Sequence, residues 1–117
     1  MSRETADVLR RAKALIATPE TWCRGATARD AKGRPIAIVW SRRMGIVANM
    51  PPEAVAFCAG GAVLAVCESP LWTRAYSALR RAQERVTDTV GQYNDAHTHA
   101  EVLAWMDRAI AAEEATP

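Results

Sequence analysis

The feature that most constrains the fold is a run without one polar side chain, Ala54-Val55-Ala56-Phe57-Cys58-Ala59-Gly60-Gly61-Ala62-Val63-Leu64-Ala65-Val66-Cys67. A stretch this apolar has to be covered on every side. Its fourteen residues fall short of the about 20 that a membrane-spanning helix needs, so it belongs inside a globule. Met50-Pro51-Pro52-Glu53 lies just ahead of it. Proline is tolerated in a first helical turn, and an acid suits the positive end of a helix. Together these signals predict a buried central helix over 53–68. Each glycine in a helix costs about 1 kcal/mol relative to alanine. The pair Gly60-Gly61 therefore predicts close approach of a second element, or else a break that divides the run into two short pieces.

The remaining segments have to close around that run. Residues 4–18 place Val8, Leu9, Ala12, Leu15 and Ile16 on one helical stripe, and Pro19 stops the helix. Residues 71–89 read as another helix, with Trp72, Ala75, Tyr76, Leu79, Ala82 and Val86 inward and Arg74, Arg81 and Arg85 outward. Val90 to Ala96, with Gly91 and Asn94-Asp95, reads as a loop. Thr98-His99-Ala100-Glu101 matches a capping box that starts a last helix running to about 114, with Val102, Leu103, Met106 and Ile110 inward. Asp30 to Gly33 is a turn signal, and its flanks predict a short antiparallel hairpin over about 26–40, with Ile36, Ile38 and Trp40 on one face. Trp22, Trp40, Trp72 and Trp105 read as core or core-edge residues. The expected fold is α+β, mainly α: about four helices around the buried central one, plus one small hairpin. At 117 residues and 50% hydrophobic, the chain fits a single domain over 1–117 and excludes a disordered chain.

Cysteine and charge narrow the class further. Cys23, Cys58 and Cys67 are odd in number and irregularly spaced, which argues against a disulfide framework. The start, MSRETADVLRRAK, has no apolar core of a signal peptide. A cytoplasmic protein with reduced thiols is the expectation. Net charge is only +2, yet Arg24 to Arg43 holds six bases against Asp30 alone, and from Val90 onward Arg108 stands against five acids. A basic middle and an acidic tail can each steer a charged partner.

Three blocks carry a resemblance: Trp22-Cys23-Arg24-Gly25-Ala26-Thr27-Ala28-Arg29-Asp30 followed by Gly33, then Pro52-Glu53-Ala54-Val55-Ala56-Phe57-Cys58-Ala59-Gly60-Gly61-Ala62, then Tyr93-Asn94-Asp95 followed by Thr98-His99-Ala100-Glu101-Val102. In order and spacing the chain resembles an uncharacterised family of small bacterial and phage proteins. Its pattern is Trp-Cys-x-Gly-Ala-x-Ala-x-Asp, Cys-Ala-x-Gly-Ala, Trp-Asn-Asp and Thr-x-x-Glu-Val. Phe57 stands where an aromatic, often Trp, is expected, Tyr93 replaces the Trp of Trp-Asn-Asp, and Ile36 to Met50 is longer and more apolar. The resemblance implies no activity. It directs attention to Trp22, Cys23, Asp30, Cys58, Asn94 and Asp95, and it suggests a phage or mobile-element setting.

Several chemistries can be weighed from these residues. A thiol enzyme would use Cys58 as nucleophile with His99, Asn94 and Asp95 as base and orienters. A thiol on an apolar helix is more often an inert core residue. A zinc site would draw on Cys23, Cys58, Cys67, His97 and His99, but no Cys-x-x-Cys or His-x3-His spacing is present, so no metal and no cofactor is expected. A nucleic-acid module would use the Arg-rich hairpin with Arg29, Arg34, Arg42 and Arg43, although a pI of about 8.6 is modest for a dedicated binder. The apolar excess over 36–50 around a short sheet favours a protein partner or self-association. The leading expectation is thus a small cytoplasmic binding or regulatory protein with no membrane role. Its binding candidates are Trp22, Cys23, Asp30, Asn94, Asp95, Arg29, Arg34, Arg42 and Arg43, and a Cys58-centred hydrolase or transferase is the alternative.

Overall fold

The computed structural model describes residues 2–36, 39–41, 47–67 and 71–115. Among them are five α-helices: α1 (Ser2–Leu15), α2 (Ala59–Val66), α3 (Leu71–Arg81), α4 (Val90–Asp95) and α5 (His99–Ala115). Four short strands, β1 (Ala28–Arg29), β2 (Val39–Ser41), β3 (Val47–Asn49) and β4 (Ala56–Phe57), form two antiparallel pairs, β1 with β4 and β2 with β3. The architecture is α+β and mainly α, as the sequence predicts.

The core lies where α1 packs against α2, α3 and α5. Leu9, Ala12 and Ile16 of the α1 side meet Val102, Trp105, Met106 and Ala109 of α5, with Val63 of α2 and Ala75 and Leu79 of α3, all fully buried. Trp105 Nε1 donates to Leu79 O at 2.9 Å, so the largest core side chain also ties α5 to α3.

The central apolar run is buried, but its helix is shorter than 53–68. Pro52-Glu53 form a turn, Ala56–Phe57 are strand β4, and Cys58 in extended conformation caps α2. An apolar run shows no periodicity by which strand and helix can be told apart. Here β1 offers the hydrogen bonds that decide it: Val55 N–H donates to Arg29 O and Cys58 N–H to Thr27 O. The glycine pair is not a break. It sits in the first turn of α2 and permits close approach, because a Cβ on Gly61 would lie 2.0 Å from Thr27 O and one on Gly60 would lie 2.6 Å from the Tyr76 hydroxyl. At the far end of α2, the Arg11 guanidinium donates to Val66 O, a cation against the negative helix end.

Two other segments differ from the sequence reading. Helix α3 ends at Arg81 rather than 89. The Gln83 side chain then donates to Arg85 O and Asp88 O, offering the chain non-helical partners. Val86, expected inward, is 64% exposed, and Arg85 lies beyond the helix. The segment 90–95 is a helix, not a loop, because Thr89 and Gln92 form a capping box of their own. The Thr98–Glu101 box is present, with Thr98 N–H on Glu101 Oε1 at 2.8 Å and Glu101 N–H on Thr98 Oγ1 at 3.2 Å.

The expected antiparallel hairpin over 26–40 forms as a short pairing around its turn, and its strands take further partners. Its turn forms, with Gly33 at φ 79 and the Asp30 carboxylate accepting from the amides of Lys32 and Arg34. Among the described residues the flanks meet through the Arg29↔Pro35 bridge, with Asp30 N–H donating to Arg34 O at 3.0 Å and Ile36 N–H to Ala28 O at 2.9 Å. Strand β1 takes β4 as its ladder partner, and β2 belongs to a separate ribbon with β3. Ile38, Arg42 and Arg43 lie outside the described residues.

These contacts set the cost of two kinds of change. Gly61→Ala drives a methyl into a sheet carbonyl that cannot swing aside, and should cost about 3 kcal/mol or more in urea unfolding. Gly60→Ala meets a phenol that can move and should cost about 1 kcal/mol. The second kind concerns acid. The Arg34 amide holds the Asp30 carboxyl below the ordinary carboxylate range, and the Thr98 amide does the same for Glu101. A depressed folded pKa gives stability that is present above the unfolded pKa and lost as pH falls through the folded one. Unfolding measured from pH 5 downward should show less acid loss, relative to wild type, in Asp30→Asn and in Glu101→Gln.

Candidate functional site

The residues that the resemblance points to converge where a small sheet meets α2 and α4. Strand β4 lies between two neighbours. On one side β1 pairs with it antiparallel, Ala28 opposite Phe57; on the other, Trp22 pairs with Phe57 in a parallel bridge and Cys23 N–H donates to Phe57 O at 3.0 Å. Helix α4 brings Asn94 against this junction with its side chain fully buried.

The Asn94 amide makes four hydrogen bonds. Its Oδ1 accepts from Trp22 Nε1 at 2.9 Å and from Ala59 N–H at 3.0 Å. Its Nδ2 donates to Cys23 O and to Asp95 Oδ1, each at 3.1 Å. Asp95 Oδ1 also accepts from Gly25 N–H at 3.0 Å. An asparagine side chain offers two donor hydrogens and an oxygen with two lone pairs, and all four are used.

Cys58 stands at the head of α2, 6% exposed, its Sγ accepting from Gly61 N–H at 3.2 Å. Burial pushes its thiol up, against the opposing pull of the Gly61 and Gly60 amides. Burial likewise raises Cys23 to about 11, reinforced by the neighbouring Cys58. Cys67 is half-buried; burial raises it too, and its thiol donates to Val63 O. A thiol kept protonated is a poor nucleophile.

His99 has partners of its own. Its Nε2 bonds Ile16 O at 2.7 Å, and its ring lies 5.4 Å from that of Trp22. His97 stacks on Tyr93 at 4.0 Å with Nδ1 on Tyr93 O. A cavity of about 120 Å³ beside them is lined by Glu84, Tyr93, His97, Glu101, Ala104 and Arg108, and a shallow groove between α1 and α5 by Arg10, Lys13, Ala14, Ala17, Asp107 and Ile110. Neither is lined by Cys58, Asn94 or Asp95. Among the described residues no group of three His, Cys, Asp or Glu is placed to hold a metal ion.

A family model described as "Family of unknown function (DUF6197)" matches residues 1–112. The chain belongs to this family. No curated protein and no solved structure matches. The motif residues that meet at the junction in this family member are Trp22, Cys23, Cys58, Asn94 and Asp95. Asp30 does not join them; it builds its own turn, paired with Arg34 at 2.8 Å. The Arg29 guanidinium donates to Gly33 O and Arg24 O and also lies beside the Cys23 thiol, opposing the rise that burial gives it.

Some contributors carry no sequence signal. Arg24 donates to His97 O at 2.7 Å and lies over the Trp22 ring, 5.2 Å from its centroid. Thr27 O receives Cys58 N–H and fills the space above Gly61. Gly25, at φ 75, is legible only as part of the Trp-Cys-x-Gly block.

The junction predicts its own mutational behaviour. Asn94→Ala strands the Trp22 and Ala59 donors and the Cys23 carbonyl, and should cost about 3 kcal/mol in urea unfolding. Asn94→Asp loses the donor to Cys23 O and sets an acid beside Asp95. Such an acid has a raised folded pKa, so its stability deficit relative to wild type should be larger at pH 7 than at pH 4. A deficit independent of pH would contradict this account.

Proposed function

We propose that the chain is a small non-catalytic binding or regulatory protein whose partner is another protein. One observation carries the reading: the groups a thiol enzyme would need are already engaged in holding the fold. Cys58 caps α2, Asn94 has no free hydrogen-bonding site, Asp95 holds Gly25, and His99 is bonded to Ile16 O. Catalytic groups need an open position where a substrate atom can sit.

The β2–β3 ribbon supports a protein partner. It is two-stranded among the described residues, its sequence is apolar, and a short sheet with unpaired edges can accept a strand from another chain. The arginines of the basic segment speak less for nucleic acid, since Arg24, Arg29 and Arg34 are committed to intramolecular carbonyl or carboxylate partners. The cytoplasm suits three free cysteines, and no helix among the described residues is long and apolar enough to cross a membrane. A phage or mobile-element setting rests on the sequence resemblance alone.

The test is thiol reactivity in the native protein. With iodoacetamide at neutral pH and intact-mass detection, Cys67 should be modified first, and Cys23 and Cys58 far more slowly than a free cysteine in solution. Selective modification of Cys58 in the folded chain, faster than a free cysteine in solution, would overturn the non-catalytic reading.

A further inference from the structure

Two thiols, Cys23 and the α2 cap Cys58, are brought together beside the sheet. Trp22 and Phe57 pair in parallel, and Cys23 N–H bonds Phe57 O at 3.0 Å, so Cys23 and Cys58 are next in register on adjacent segments of the chain. Neighbouring strands lie about 4.8 Å apart. That falls within the Cα separation of about 4.4 to 6.8 Å that a disulfide spans. A second observation places the same two residues together. The single Asn94 amide reaches Cys23 O through Nδ2 and the amide of Ala59, the residue after Cys58, through Oδ1. The nearness of Cys58 and Asp95 adds to the rise that burial gives the Cys23 thiol, against the opposing pull of the Arg29 guanidinium, and Asp95 likewise adds to the rise of Cys58. Both side chains are buried and both cysteines are free.

We propose that Cys23 and Cys58 are a redox pair that closes to an intramolecular disulfide, with a small-molecule disulfide such as oxidised glutathione as the oxidant. One cysteine thiolate attacks the oxidant, forming a mixed disulfide and expelling one thiolate, which takes up the proton released by that cysteine. The second cysteine then displaces the remaining thiol and gives it its proton. The two cysteine sulfurs are oxidised, the oxidant is reduced to two thiols, and no further reactant is needed. The bond would fasten the Trp22-Cys23 segment to the head of α2.

Burial keeps both thiols protonated, so closure should be slow at neutral pH and its rate should rise about tenfold per pH unit up to pH 9. The full-length Cys67→Ser chain removes the third thiol, and Cys67 lies outside the junction. Folded protein is incubated with oxidised glutathione, then denatured, alkylated and weighed intact. The expected product has lost two hydrogens and carries no alkyl group, while Cys23→Ser and Cys58→Ser in the same background each retain one thiol that ends free or glutathionylated. The oxidised form should also show a higher Tm than the reduced form. Three results would overturn the proposal: two alkylated thiols after exposure that fully oxidises dithiothreitol, glutathione adducts on both cysteines without closure, or closure only in denaturant.

Discussion

One buried amide holds the two halves of this fold in register. Asn94 sits on a six-residue helix and satisfies a tryptophan, the first amide of α2, a carbonyl of the Trp22-Cys23 segment and its neighbouring carboxylate. Those groups come from positions 22, 23, 59 and 95, so no local secondary structure would bring them together. Each neutral hydrogen bond contributes about 1 kcal/mol net, but each buried group left without its partner costs more. The amide therefore acts mainly by making alternatives expensive. An aspartate could not donate, a leucine could not accept, and only a side chain with both capacities answers two donors and two acceptors at once.

The sequence was most readable where its signals are local. The Thr98–Glu101 box and the Asp30–Gly33 turn depend on residues within four positions of one another, and both form. Reading failed where a distant segment decides. Nothing within Ala54 to Cys67 says that its first part will pair with Ala28-Arg29 and only its second part will wind into a helix. Gly91 and Asn94-Asp95 read as loop signals, yet they lie within the helix that the Thr89–Gln92 capping box starts. Asparagine and aspartate favour turns because their side chains bond nearby backbone; Asn94 instead bonds backbone far away.

The candidate site was partly visible for the same reason. Residue types alone grouped Cys58 with His99, Asn94 and Asp95, and the fold does bring Cys58, Asn94 and Asp95 to one junction. The imidazole is engaged by other partners, its Nε2 on Ile16 O and its ring against Trp22, whose indole nitrogen reaches Asn94. Cys23, which no spacing argument linked to Cys58, turned out to share the sheet with it. A parallel neighbour 35 positions away leaves no trace in local pattern.

Helix α2 depends on borrowed support of this kind at both ends. It has eight residues, two of them glycine, and an isolated helix under about 12 residues is marginal in water. Its first amide rests on a side chain of α4, and its last carbonyl on one of α1. It has no means of forming ahead of those partners, nor of fraying while they stay in place. The middle of the molecule thus opens only when the whole domain opens, and its amide protons should be the last to trade with solvent.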